Sequence, residues 1–207
     1  MTIMRALTAA LAATILAAAP ALAAEPARPA DGEGWLARQF TIEEKAWIFS
    51  AEYLSPTLYN RPIDLYALEA ARAWRFHSGF ELQLRGGLVH TEGDRSDDPA
   101  DGEGRDSSTT GITGGVGLRY YVIDYRQFHA FLDGSMQFYW AQGQPFPSGG
   151  SAINGLLRGG GGFAYDLGPN YAIEVLYHYA HVSNGGKPPQ NPTWEGQGAM
   201  IGLRWRF

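Results

Sequence analysis

From Lys45 onward the sequence divides into eight segments, and the connections between them alternate between tight and long. Each segment is rich in aromatic and β-branched residues and is bounded by turn formers, the pattern of strands. The segments run over 45–55, 63–74, 79–92, 109–123, 127–141, 153–166, 171–183 and 194–207. Connections at 75–78, 124–126 and 167–170 are tight, whereas 93–108, 142–152 and 184–193 are long and polar. An even strand count with alternately short and long connections is the plan of an outer-membrane barrel, short turns periplasmic and long loops extracellular. The expectation is an all-β chain, an eight-stranded antiparallel transmembrane β-barrel with both termini periplasmic.

Ahead of the strands, Arg5 is followed by a small and apolar run from Ala6 to Ala24 ending in Ala21-Leu22-Ala23. Those regions predict a cleavable signal peptide over 1–24, then a periplasmic segment over 25–44 with a short helical piece around Trp35 to Phe40, then the barrel over 45–207. Behind the leader no stretch reaches the roughly 18 apolar residues of a membrane helix. With no cysteine, disulfides and thiolate metal sites are excluded. The net charge of −5, with acids gathered between Glu92 and Asp106, offers no basic surface for nucleic acid. Leu203-Arg204-Trp205-Arg206-Phe207 alternates apolar with charged residues and ends on Phe, resembling the signal read by the barrel-assembly machinery, an expected partner during biogenesis.

Alternation sorts the last two strands into faces. Tyr171, Ile173, Val175, Tyr177, Tyr179, His181 and Ser183 share one side and should face lipid; Ala172, Glu174, Leu176, His178 and Ala180 should face the interior. In the final strand Ala199, Ile201, Leu203, Trp205 and Phe207 fall on the lipid side, as does Glu195, with Gly196, Gly198, Gly202, Arg204 and Arg206 inward. Three polar residues, His181, Ser183 and Glu195, thus lie at the outer strand ends on a face that should be apolar. A basic group on that face costs about 2–4 kcal/mol at the bilayer midplane and roughly 0–1 near the interface, so the rim is where they are tolerated.

A serine hydroxyl becomes an effective nucleophile when a base takes its proton and a third group holds that base in its tautomer. His181 and Ser183, two apart on one face, have Cβ atoms about 6 to 7 Å apart. Glu195 meets the other imidazole nitrogen only if the two strands pair in the required register.

The run His181-Val182-Ser183-Asn184-Gly185-Gly186, followed by Asn191 and Glu195, resembles the signature of the PagL family of lipid A 3-O-deacylases. The resemblance implies a serine esterase in the outer membrane, facing the outer leaflet. Ser183 would be nucleophile, His181 general base and acid, and Glu195 the group orienting the histidine. Asn184, Gly186 and Asn191 would stand near the oxyanion site. It implies lipid A as substrate, loss of the ester-linked 3-hydroxyacyl chain from its 3-position, no cofactor, and an assembly compatible with a homodimer. The chain departs from the pattern in Gly185, where a small Ala is expected, and in Pro192. Competing readings are a non-enzymatic barrel and an esterase or phospholipase acting on glycerophospholipid.

Other signals have simpler explanations. Gly159 to Gly162 lacks a following Lys-Ser/Thr and suits strand curvature rather than a phosphate loop. His77, His90, His129 and His178 lack metal-ligand spacing, and Asp97, Asp98, Asp101, Glu103 and Asp106 do not follow calcium-loop spacing. Trp74, Tyr139, Trp140 and Trp205 are expected in interfacial aromatic girdles.

Overall fold

The computed structural model describes residues 34–57, 61–95, 105–142, 145–186 and 193–207; the expected leader lies outside them. A helix, α1 (Trp35–Gln39), stands where the sequence places a helical piece. Eight long strands follow: β1 (Ile42–Pro56), β2 (Ile63–Phe76), β3 (Phe80–Arg95), β4 (Thr109–Tyr125), β5 (Phe128–Gln142), β6 (Ile153–Asp166), β7 (Tyr171–Ser183) and β8 (Trp194–Arg206). A two-residue strand, Arg105–Asp106, pairs with the end of β3. Each long strand pairs antiparallel with the next, and β1 pairs with β8 from Ala46↔Arg206 to Pro56↔Gly196. That last pairing closes the sheet and leaves no barrel strand with an open edge.

Alternation then decides what the barrel encloses. In β7, Ala172, Glu174, Leu176, His178, Ala180 and Val182 are buried while Tyr171, Ile173, Val175, Tyr177 and Tyr179 are exposed, as parity predicts. Leu84, Leu118, Leu132, Met136, Phe163 and Ile201 carry the exposed apolar surface around the other strands. A continuous apolar belt of this kind suits hydrocarbon rather than water.

The lumen is filled by side chains. At the long-loop end Leu54, Ile63, Leu65, Phe146, Val182 and Trp194 form an apolar cluster, with the Trp194 indole N–H donating to the Ile63 carbonyl at 2.9 Å. Below it lies a network of buried ions. Arg158 meets Glu52 and Glu69, each at 2.8 Å, and Arg85 meets Asp133 at 2.7 Å. Arg119 bridges Asp133 at 3.0 Å and Glu174 at 2.9 Å, while Arg204 bridges Glu174 at 2.6 Å and Glu81 at 2.9 Å. Charges so far from water persist because each has partners of opposite sign.

The glycine run belongs to β6, where a Cβ on Gly160 would lie 1.9 Å from the Tyr177 carbonyl oxygen and one on Gly162 2.3 Å from that of Val175. Close approach of β7 demands glycine there. One expectation is corrected: Tyr139 is not in an aromatic girdle. It is buried in the lumen with its ring centroid 5.6 Å from that of Phe146, because neighbours on a strand face opposite ways and Trp140 takes the outward position.

Candidate functional site

β7 and β8 present their outer ends side by side, with His181 directly opposite Glu195. His181 Nδ1 lies 3.4 Å from Glu195 Oε1, and each side chain is about a third exposed, at 32% and 31%. The register that the sequence left open is therefore the one that joins them. The end of β8 is fixed across the barrel seam, where the Thr57 N–H donates to the Glu195 carbonyl at 2.9 Å.

Ser183 sits two residues past His181 on the same side, paired with Gly155. Among the described residues its hydroxyl makes no hydrogen bond to His181. Two of the three expected groups are thus joined and the third stands beside them. Residues i and i+2 on a strand are neighbours, but bonding their heads depends on rotamers as well as spacing.

Asn184 is turned to the buried side, and its Oδ1 accepts the Gly186 N–H at 3.1 Å. Gly185 and Gly186 both have positive φ, +72° and +78°. That left-handed backbone favours glycine and gives Gly185 a conformational reason. The Gly186 N–H is committed to Asn184, so its use as an oxyanion donor requires that turn to open. Asn191 lies outside the described residues.

Sequence reasoning missed Tyr179. Its hydroxyl donates to Glu195 Oε2 at 2.5 Å, so the carboxylate is held on one oxygen by a phenol and faces His181 with the other. The signal was available: Tyr179 precedes His181 by two on the same face and lies diagonal to Glu195 once the register is known. One row further down, Tyr177 donates to Gln197 at 2.6 Å, continuing the polar ladder on the outer face. His178, between these tyrosines in sequence, points into the lumen, with Nδ1 2.6 Å from Glu52 and Nε2 3.3 Å from Asp133. Among the described residues no group of three or more His, Asp or Glu is placed to hold a metal.

The chain thus forms a closed eight-stranded barrel with an apolar belt and a polar cluster at one rim. Among solved structures the chain is similar to Neisserial surface protein A, at 14% identity over 79% of this chain and 96% of that one, TM-score 0.53. It has the fold of a small outer-membrane β-barrel. It is also similar to Ail, the attachment invasion locus protein of Yersinia pestis, at 14% identity over 79% and 97% of the two chains, TM-score 0.42. A third match is the outer membrane protein AlkL, at 13% identity over 87% and 95%, TM-score 0.39. No family model matches the sequence, and no curated protein does. His181 and Glu195 stand at the long-loop end of the barrel, which in outer-membrane barrels is the extracellular end.

Proposed function

We propose that this barrel is a lipid A 3-O-deacylase of the PagL type, hydrolysing the ester that links a 3-hydroxyacyl chain to the 3-position of lipid A in the outer leaflet. The observation that carries the reading is the His181–Glu195 pair, 3.4 Å apart on the outward face at the long-loop rim, with Ser183 beside it. Lipid A esters lie close to that height, so the site would meet its substrate without a passage through the barrel.

In the proposed reaction the Ser183 hydroxyl gives its proton to His181 Nε2 and attacks the ester carbonyl. Glu195, facing Nδ1, holds the tautomer and stabilises the imidazolium. The tetrahedral intermediate collapses as His181 returns the proton to the sugar oxygen, leaving the acyl chain on Ser183. Water, activated by the same histidine, then releases the fatty acid. Ser183 must rotate towards His181 for the first step, and the loop carrying Asn184, Gly186 and Asn191 would supply donors for the developing oxyanion.

The test is mass spectrometry of lipid A from a host expressing the chain. Loss of one hydroxyacyl group is expected with the wild type and not with Ser183→Ala, provided both migrate as folded barrels. Unchanged lipid A with folded wild type would overturn the reading in favour of a non-enzymatic barrel. Acyl release from glycerophospholipid alone would leave the triad standing but reassign the substrate.

A further inference from the structure

The outer surface of the barrel is poor in cations. Of the strand arginines whose side chains are described, Arg75, Arg85, Arg119, Arg158, Arg204 and Arg206 point inward and are ion-paired. Arg72 alone points outward, between buried Ala71 and Ala73, and Lys45, the one lysine of the described strands, is exposed beside buried Ala46. The two share a patch. Trp47 of β1 is paired with Arg72 of β2, and Lys45 with Trp74, so the cations sit diagonally across adjacent strands.

Aromatic rings frame Arg72. Its guanidinium carbon lies 4.1 Å from the ring centre of Phe207, 5.5 Å from Trp47 and 5.7 Å from Trp74. Trp205, opposite Trp47 on β8, borders the patch on its other side. Among the described residues neither Arg72 nor Lys45 has a carboxylate within ion-pair distance. The nearby acids in sequence are engaged elsewhere, Glu43 by His77 Nδ1 at 2.5 Å and Glu44 by Arg204 and Arg206, each at 2.8 Å. Acids on the outer face lie mainly at the opposite rim, where Asp64, Glu92 and Glu195 are found.

Arg72 stands four residues above the end of β2 at Phe76. With strands rising about 3.3 Å per residue and tilted about 40°, that is about 10 Å above the periplasmic turn, near the boundary between acyl chains and headgroups. Cations there are drawn to lipid phosphate, and tryptophans that flank them pack on the glycerol and upper acyl region.

We propose that Arg72 and Lys45, framed by Trp47, Trp74, Trp205 and Phe207, form a binding site for the headgroup of an anionic glycerophospholipid in the periplasmic leaflet. Arg72 would take the phosphate through its guanidinium edge while the rings hold the opposite plane, and Lys45 would add the second charge. The site lies at the other end of the barrel from His181 and does not depend on the esterase reading.

Tryptophan quenching by brominated lipids tests it. The full barrel, in a Trp35→Phe, Trp140→Phe background that leaves Trp47, Trp74 and Trp205 as lipid-facing reporters, is reconstituted in phosphatidylcholine with graded brominated phosphatidylglycerol or brominated phosphatidylcholine. The expected relative binding constant favours phosphatidylglycerol by at least roughly fivefold, the factor that one basic group contributes beside anionic lipid. Arg72→Gln with Lys45→Gln should bring it near one, and Arg72→Lys should retain most of it. Equal constants for the unmutated patch, or an unchanged preference in the double glutamine variant, would overturn the proposal. So would an equal loss from Arg126→Gln, which removes a periplasmic-turn cation outside the patch and would mean that overall surface charge is responsible.

Discussion

Replacing Glu195 by Gln keeps the side chain's size and its bond from Tyr179 but removes the charge that faces His181. In the proposed reaction that charge matters most when the imidazole becomes a cation. Two unit charges 3.4 Å apart attract by about 5 kcal/mol at the effective dielectric of a protein surface, taken as about 20. Both groups are about a third exposed, so water screens part of this, and about 2–4 kcal/mol of transition-state stabilisation is a realistic loss. That corresponds to a fall in kcat of about 30-fold to 1000-fold. The loss should appear in kcat and kcat/KM together, because the interaction strengthens only as the cation forms. The assay is the initial rate of hydroxyacyl release from lipid A in mixed micelles, read by mass spectrometry, with barrel folding checked by the migration of unheated protein. Glu195 lies on the outer rim, so the folded fraction should not change. A folded Glu195→Gln barrel within threefold of wild-type activity would refute the role given to Glu195.

Tyr179→Phe removes the bond to Glu195 Oε2 and should slow the same reaction by about 5-fold to 50-fold, the worth of one hydrogen bond to a charged group reduced by the exposure of both partners; an unchanged rate would make Tyr179 a girdle residue only. Arg119→Met withdraws a cation shared by Asp133 and Glu174, each of which keeps a second arginine, so denaturant unfolding in lipid vesicles should show a loss of about 2–4 kcal/mol. Met136→Arg, at mid-strand and 59% exposed on the outer belt, should cost about 2–4 kcal/mol in the same measurement, whereas a negligible effect would mean that this surface does not meet hydrocarbon.

Much of the barrel was legible because two signals are local. Turn residues punctuate the chain, and β6 and β7 begin and end where the sequence places them. Side-chain alternation then assigned Glu174 and His178 to the lumen and His181 to the outer face, since parity follows from residue number alone. Tyr139 was misplaced when residue type was allowed to outvote that parity. Partnerships were harder, because they depend on register. The sequence could not say that Glu195 falls opposite His181, that Tyr179 reaches the same carboxylate, or that Arg119 lies between Asp133 and Glu174. Ser183 shows a further limit: the strand brings it beside His181, but rotamer choice decides whether they touch. Parity alone puts Arg72 on the outer face, but that it stands apart from Arg75, Arg85, Arg119, Arg158, Arg204 and Arg206, which are ion-paired inside, depends on partners that only the register supplies.

The packed lumen has a consequence for how this protein would meet a lipid. Trp194 and its apolar neighbours occupy one end, and the arginine network occupies the middle. A lipid taken at either proposed site would therefore arrive sideways, in the plane of the membrane, and not through the lumen. What governs such encounters is the areal density of lipid molecules and the speed at which they diffuse laterally. Dissolving more ligand in the surrounding water would do little; changing which lipids crowd the barrel wall, or how fluid they are, would do much more.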